Sequence, residues 1–168
     1  MRRHVLQVFG LAALLFLPRG VGAERGASTP KERAKALRLV RQLETDPLGD
    51  HARDARRWLA LWLLDVPDLQ VGYCAEIVGG DRGARDRARP DLLAQISWSG
   101  AAFLIESPDK REAKAEVYTA GLLGALRAYE ALLQARPDQR SPLFDGLLAK
   151  RDAGELAAFV AETSLACP

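Results

Sequence analysis

Histidine, cysteine and methionine are scarce in this chain. Its 168 residues hold two His, two Cys and one Met. One of the histidines, His4, falls in the first few residues, which leaves His51 for the rest of the chain. A single imidazole gives little from which to build a Ser-His-acid triad or a histidine metal site. No Cys-x-x-Cys pair occurs, so zinc-finger and thioredoxin-type redox chemistry lose their usual signature. There is no His-Glu-x-x-His, no EF-hand loop, no Gly-x-Ser-x-Gly and neither glycine-rich phosphate cradle. Charge of one sign is also missing: 24 Lys and Arg stand against 22 Asp and Glu. Near-neutrality gives no general electrostatic case for nucleic acid or an anionic membrane surface. No alternating strand pattern of useful length appears.

The beginning of the chain is distinctive. Met1–Arg2–Arg3–His4 is a short positive head, Val5 to Leu17 is apolar apart from Gln7 and Gly10, and Val21–Gly22–Ala23 supplies small residues. That order is the order of a secretory signal peptide. As a helix the apolar run would reach about 20 Å, too short for a bilayer core of roughly 30 Å. The expected organisation is therefore a signal segment over 1–23 and a single domain over 24–168, exported to the periplasm or beyond. Removal of Arg2, Arg3 and Arg19 leaves 21 basic against 22 acidic residues. No stable membrane insertion is expected after cleavage.

An exported chain with two cysteines, Cys74 and Cys167, is expected to bridge them. The bridge would tie the end of the chain to its middle.

The remainder reads as successive helices. Thr29–Pro30–Lys31–Glu32 combines a cap, a proline at the first helical position and a capping-box glutamate. Ala36, Val40 and Leu43 follow at helical spacing, and Asp46–Pro47–Leu48–Gly49 ends the helix. Asp50 is placed to cap a second helix to about Leu64, whose last two turns are apolar nearly all round. A third is expected over Asp68–Val78 and a fourth from Pro90 to Ser107–Pro108. The fifth and longest is expected over about Asp109–Ala135. Its interior Gly121 and Gly124 are expected to face Ser97, Ser99, Gly100, Ala101 and Ala102 of the fourth. Ser141–Pro142 opens a sixth helix, and Asp152-x-x-Glu155 signals the cap of a seventh. The fold class is all-α: one domain of six or seven helices in antiparallel hairpins, as a bundle or a short solenoid-like array.

Residues able to carry chemistry are few. His51 lies in the first turn of a helix beside Asp50 and Asp54 and reads as solvated. Ser97–Trp98–Ser99–Gly100 reads as packing. Glu76 and Glu106 are the carboxylates an acid-dependent hydrolase would use, though each reads more simply as a surface residue or ion pair. No catalytic residue, metal ligand or cofactor is assigned. Two features suit a protein partner. Arg82, Arg85, Arg87 and Arg89 crowd the loop between Gly79 and Pro90, and guanidinium forks match carboxylates. Trp58 and Trp62 share a helix face, which reads as core packing or, if exposed, as a partner groove or dimer interface.

Two resemblances rest on short stretches. Ala125 to Leu133, with Ala125, Tyr129 and Pro137 in matching positions, resembles the second helix of a tetratricopeptide repeat. The preceding helix lacks that motif's Trp, Leu-Gly and Tyr positions, and the repeat's period does not recur. Gly72–Tyr73–Cys74, a loop, a proline-bounded apolar helix and Glu106–Ser107–Pro108–Asp109 are similar to the small helical immunity proteins of type VI secretion. That family would place its second cysteine near Ala135, whereas here it is Cys167. This resemblance implies a periplasmic inhibitor of a secreted toxin. The reading taken from the residues themselves is an exported, non-catalytic helical binding or structural protein. A small carboxylate-dependent hydrolase is the alternative.

Overall fold

The computed structural model describes residues 25–72, 74–80 and 90–167. Among them are six α-helices and no strand: α1 Pro30–Thr45, α2 Ala52–Asp65, α3 Pro90–Glu106, α4 Lys114–Ala135, α5 Pro142–Asp152 and α6 Leu156–Thr163. Two 3-10 turns, Pro108–Lys110 and Ser164–Ala166, accompany them. The fold is an all-helical bundle. The signal segment over 1–23, Tyr73 and the four loop arginines lie outside the described residues.

Local chemistry sets several boundaries where the sequence puts them. The Thr29 hydroxyl accepts the Glu32 amide, and the Glu32 carboxylate accepts the Thr29 amide at 2.7 Å, a reciprocal cap at the start of α1. Ser141 caps α5 by accepting the Phe144 amide, with Pro142 at the first helical position.

Four expectations are corrected. Asp50 does not cap α2. The residue preceding that helix is His51, without a side-chain cap, and the Ala52 amide is met by the Gly49 carbonyl at 2.9 Å. The helix expected over Asp68–Val78 does not form. Residues 69–72 are irregular, and beyond Cys74 the chain makes successive i-to-i+3 turns, such as Val78 N–H to Ala75 C=O at 3.1 Å. The segment spreads because its apolar side chains serve two cores: Val66 and Leu69 join one, while Cys74, Ile77 and Val78 join the other. The long fifth helix begins later than expected, at Lys114, after the separate turn Pro108–Lys110. Ala113 breaks the run with φ −85° and ψ 64°. Asp152 caps nothing. It ends α5 and binds Arg151, and the chain turns through Gly154 at φ +75°, a left-handed conformation that suits glycine.

α3 and α4 form the spine. They run antiparallel, since Gly100 meets Val117 while Ile96 meets Gly121. A Cβ placed on Gly121 would lie 2.5 Å from the Ile96 carbonyl oxygen. Glycine there is a condition of the approach; Gly121 meets Ile96 and not the small-residue run, whereas Gly124 meets Ser99 as expected. Hydrophobic side chains gather on either side of this spine. One cluster, with Leu122, Leu126, Tyr129, Phe144, Leu156 and Val160, lies toward α5 and α6. The other, with Val40, Leu43, Leu59, Trp62, Trp98 and Val117, lies toward α1 and α2.

Candidate functional site

The cluster beside α1 and α2 is not closed. Val66–Pro67 ends α2, and the chain then runs without helix to Gly72. Asp68 fastens this strip to α1. Its carboxylate accepts the Ser28 amide, the Ser28 hydroxyl and Arg33 Nη2, each at 2.7 Å. Burial alone would raise the Asp68 carboxyl, but these donors outweigh it and hold its pKa down at about 2. Arg111 Nη1 donates to the Asp68 carbonyl at 2.7 Å. The strip is thereby anchored to α1 and to the turn before α4, and its Val71 packs close against Gly100 of α3.

Between α2, the strip, α3 and the start of α4 lies an open groove of about 800 Å³. Its buried lining includes Val66, Leu69, Trp98, Leu104 and Val117. Arg111, Lys114 and Tyr118 stand among its polar lining, and among the described residues no acidic side chain lines it. Small residues, Ala60, Ala94 and Ser97, keep the walls from filling the space. A concavity of this size and composition suits an apolar ligand group.

Leu64 belongs to the same lining yet is 87% exposed, so it forms a lip. One turn earlier on α2, Leu61 is 60% exposed. Leucines this bare, side by side at the edge of an apolar groove, extend the apolar surface onto the outer face of α2. Asp65 follows, 64% exposed, with Arg25 Nε at 2.8 Å from its Oδ2.

The tryptophans sit elsewhere. Trp62 is buried and Trp58 half-buried, their rings stacked with centroids 5.4 Å apart and planes 12° apart. Lys35 Nζ lies 4.2 Å from the Trp58 ring centroid, so the pair packs α2 against α1. Neither lines the groove.

Glu106, one of the two candidate carboxylates, is 46% exposed and accepts Arg41 Nη2 at 2.8 Å. Glu76, the other, is exposed. Neither lines the groove. Among the described residues no group of three or more His, Cys, Asp or Glu could hold a metal ion.

A buried carboxylate that sequence reasoning missed is Glu44, only 3% exposed. It accepts Ser99 Oγ at 2.8 Å, Arg127 Nη2 at 2.9 Å and Arg41 Nη1 at 3.1 Å. Gln95 Nε2 donates to Ser99 Oγ at 3.0 Å, and Arg41 also reaches Glu106. The Arg41 guanidinium is held more strongly protonated than usual: burial works against this, but the two glutamates prevail. Every strong acceptor direction of Glu44 is met, so the network is a lock joining α1, α3 and α4. Its signal was in the sequence. Ala36, Val40 and Glu44 repeat every four residues, which places Glu44 on the buried stripe.

Cys74 and Cys167 are brought to disulfide distance, with Cα atoms 5.6 Å apart. No described helix is long and apolar enough to cross a membrane. Comparison with protein-family models, with curated proteins and with solved structures finds no match to this chain.

Proposed function

We propose that this is an exported, non-catalytic protein-interaction domain, and that the α2–α3–α4 groove with the outer face of α2 is its docking surface. The observation that carries the reading is the open apolar groove of about 800 Å³ continuing onto bare Leu61 and Leu64. A small ligand seated in the groove would leave Leu61 uncovered, whereas a protein partner covers both. The carboxylates a hydrolase would use lie outside this surface. The signal-like segment and the cysteine pair at disulfide distance support export.

The groove is tested with N-phenyl-1-naphthylamine, an uncharged apolar probe that fluoresces when sheltered from water. At dilute protein concentration the probe is expected to bind, and the double variant Ala60→Phe, Ala94→Phe, which fills the walls, is expected to lose that binding while staying folded by circular dichroism. Binding that survives in the filled variant, or none in the wild type, would reject the reading.

A further inference from the structure

Resting on that docking surface, we propose that its partner is a second copy of this chain, joined by antiparallel packing of α2 on α2 about a two-fold axis at Leu61. On a helix, residues four before and four after a given position share its face. For Leu61 these are Arg57 and Asp65, with Leu64 beside them. Antiparallel pairing about Leu61 sets the residue four before it in one copy against the residue four after it in the other. Arg57 of each copy then meets Asp65 of the other, twice by symmetry. The charges are of opposite sign.

Both are available for that role. Arg57 is exposed, and no described residue makes an ion pair with it. Asp65 is bound by Arg25 through Oδ2, is 64% exposed, and has no described partner at Oδ1. Between them Leu61 faces its own symmetry mate, and Leu64 of each copy falls over the Ala60 edge of the other's groove. The two most exposed leucines of α2 are covered together, and the grooves adjoin across the axis. An isologous interface must be self-complementary in shape and charge, and this face carries a knob, a recess, a cation and an anion in that relation.

The test is sedimentation of the purified protein from sub-micromolar to hundred-micromolar concentration. The wild type is expected to pass from one-chain to two-chain mass. Leu61→Asp and Leu64→Asp are expected to weaken association by about a hundredfold or more, since each change is felt twice. Both side chains point to solvent, so thermal unfolding of the single chain is expected to stay unchanged. Arg57→Asp and Asp65→Arg are each expected to weaken association by about tenfold by setting like charges opposite. The doubly reversed chain is expected to recover most of that loss, which a merely structural role for either residue would not produce. A one-chain mass at every concentration overturns the proposal. So does a dimer indifferent to Leu61→Asp and Leu64→Asp, or a double reversal no better than the worse single one. If the wild type is a monomer that still binds the uncharged probe, the second copy is rejected and the groove reading stands.

Discussion

The two hydrophobic clusters flanking the α3–α4 spine are built to different ends. The one toward α5 and α6 is fastened from within. Tyr129, fully buried, accepts the Ser141 amide at 2.7 Å and donates to Asp145 at 2.9 Å, so its ring fills the core while its hydroxyl fixes the turn into α5. Phe144 packs on it with ring centroids 5.3 Å apart. Cys167 is tied back to Cys74, which belongs to this cluster. The cluster toward α1 and α2 is held by polar clasps, Asp68 and Glu44, and opens at the groove between α2, the strip, α3 and α4. The first core is fastened by apolar contact and by the Cys74–Cys167 pair, with Leu165 beyond α6 left 86% exposed. A core closed by clasps can keep an apolar recess open to solvent without collapsing around it.

The sharpest way to separate the halves is to cut the tie. Converting Cys74 and Cys167 to Ala frees a loop of 93 residues, worth about 4–5 kcal/mol in the chain-entropy account. Denaturant unfolding is expected to show that loss. Amide exchange is expected to rise first around α6 and the turns after Cys74, leaving α1 and α2 less affected. Equal loosening of both halves would break the comparison.

The seam between the halves is tested at Gly124. A Cβ there would overlap Ser99 and lie 2.5 Å from Glu44 Oε1. Gly124→Ala is expected to cost about 2–3 kcal/mol, overpacking and a disturbed Glu44 network outweighing the gain in helix propensity. Gly146→Ala in α5, where an added Cβ meets nothing within 4 Å, is expected instead to stabilise by up to about 1 kcal/mol. Thermal unfolding of the pair reads the difference in sign.

Tyr129→Phe keeps the ring and removes the hydroxyl, leaving the Ser141 amide without its acceptor. A loss of about 1–2 kcal/mol is expected by chemical denaturation.

An effect of similar size belongs to the open half and depends on pH. The Asp68 carboxyl, at about 2, lies below its ordinary 3.8. Its contribution is therefore complete above about pH 4 and fades as pH falls toward 2, by roughly 1–2 kcal/mol. Asp68→Asn is expected to flatten that part of the stability profile and to enlarge amide exchange in the strip between α2 and Gly72.

Much of the fold was legible because it is local. The Thr29–Glu32 box, Pro30, Ser141–Pro142 and the facing small residues of α3 and α4 each act within one turn or one helix pair. Asp68–Val78 misled because its apolar spacing suits a helix in isolation, while the fold divides those side chains between two cores. The paired tryptophans stand out by size and spacing, and both pack α2 on α1. The groove was not legible at all. It arises where Ser28 and Arg33, Asp68, and Arg111, from three parts of the chain, set how far the strip sits from α1 and from the start of α4. No spacing along the sequence encodes that distance. Glu44 stood on a readable stripe, but its partners Ser99 and Arg127 come from far along the chain.

The measurement closest to the central claim is hydrogen exchange of the wild-type protein at low and at high concentration, read peptide by peptide. Association through the open half predicts that raising the concentration protects the second half of α2 and the strip lining the groove, leaving α5 and α6 unchanged. Protection that appears in α5 and α6 instead, with α2 unaffected, would contradict the account.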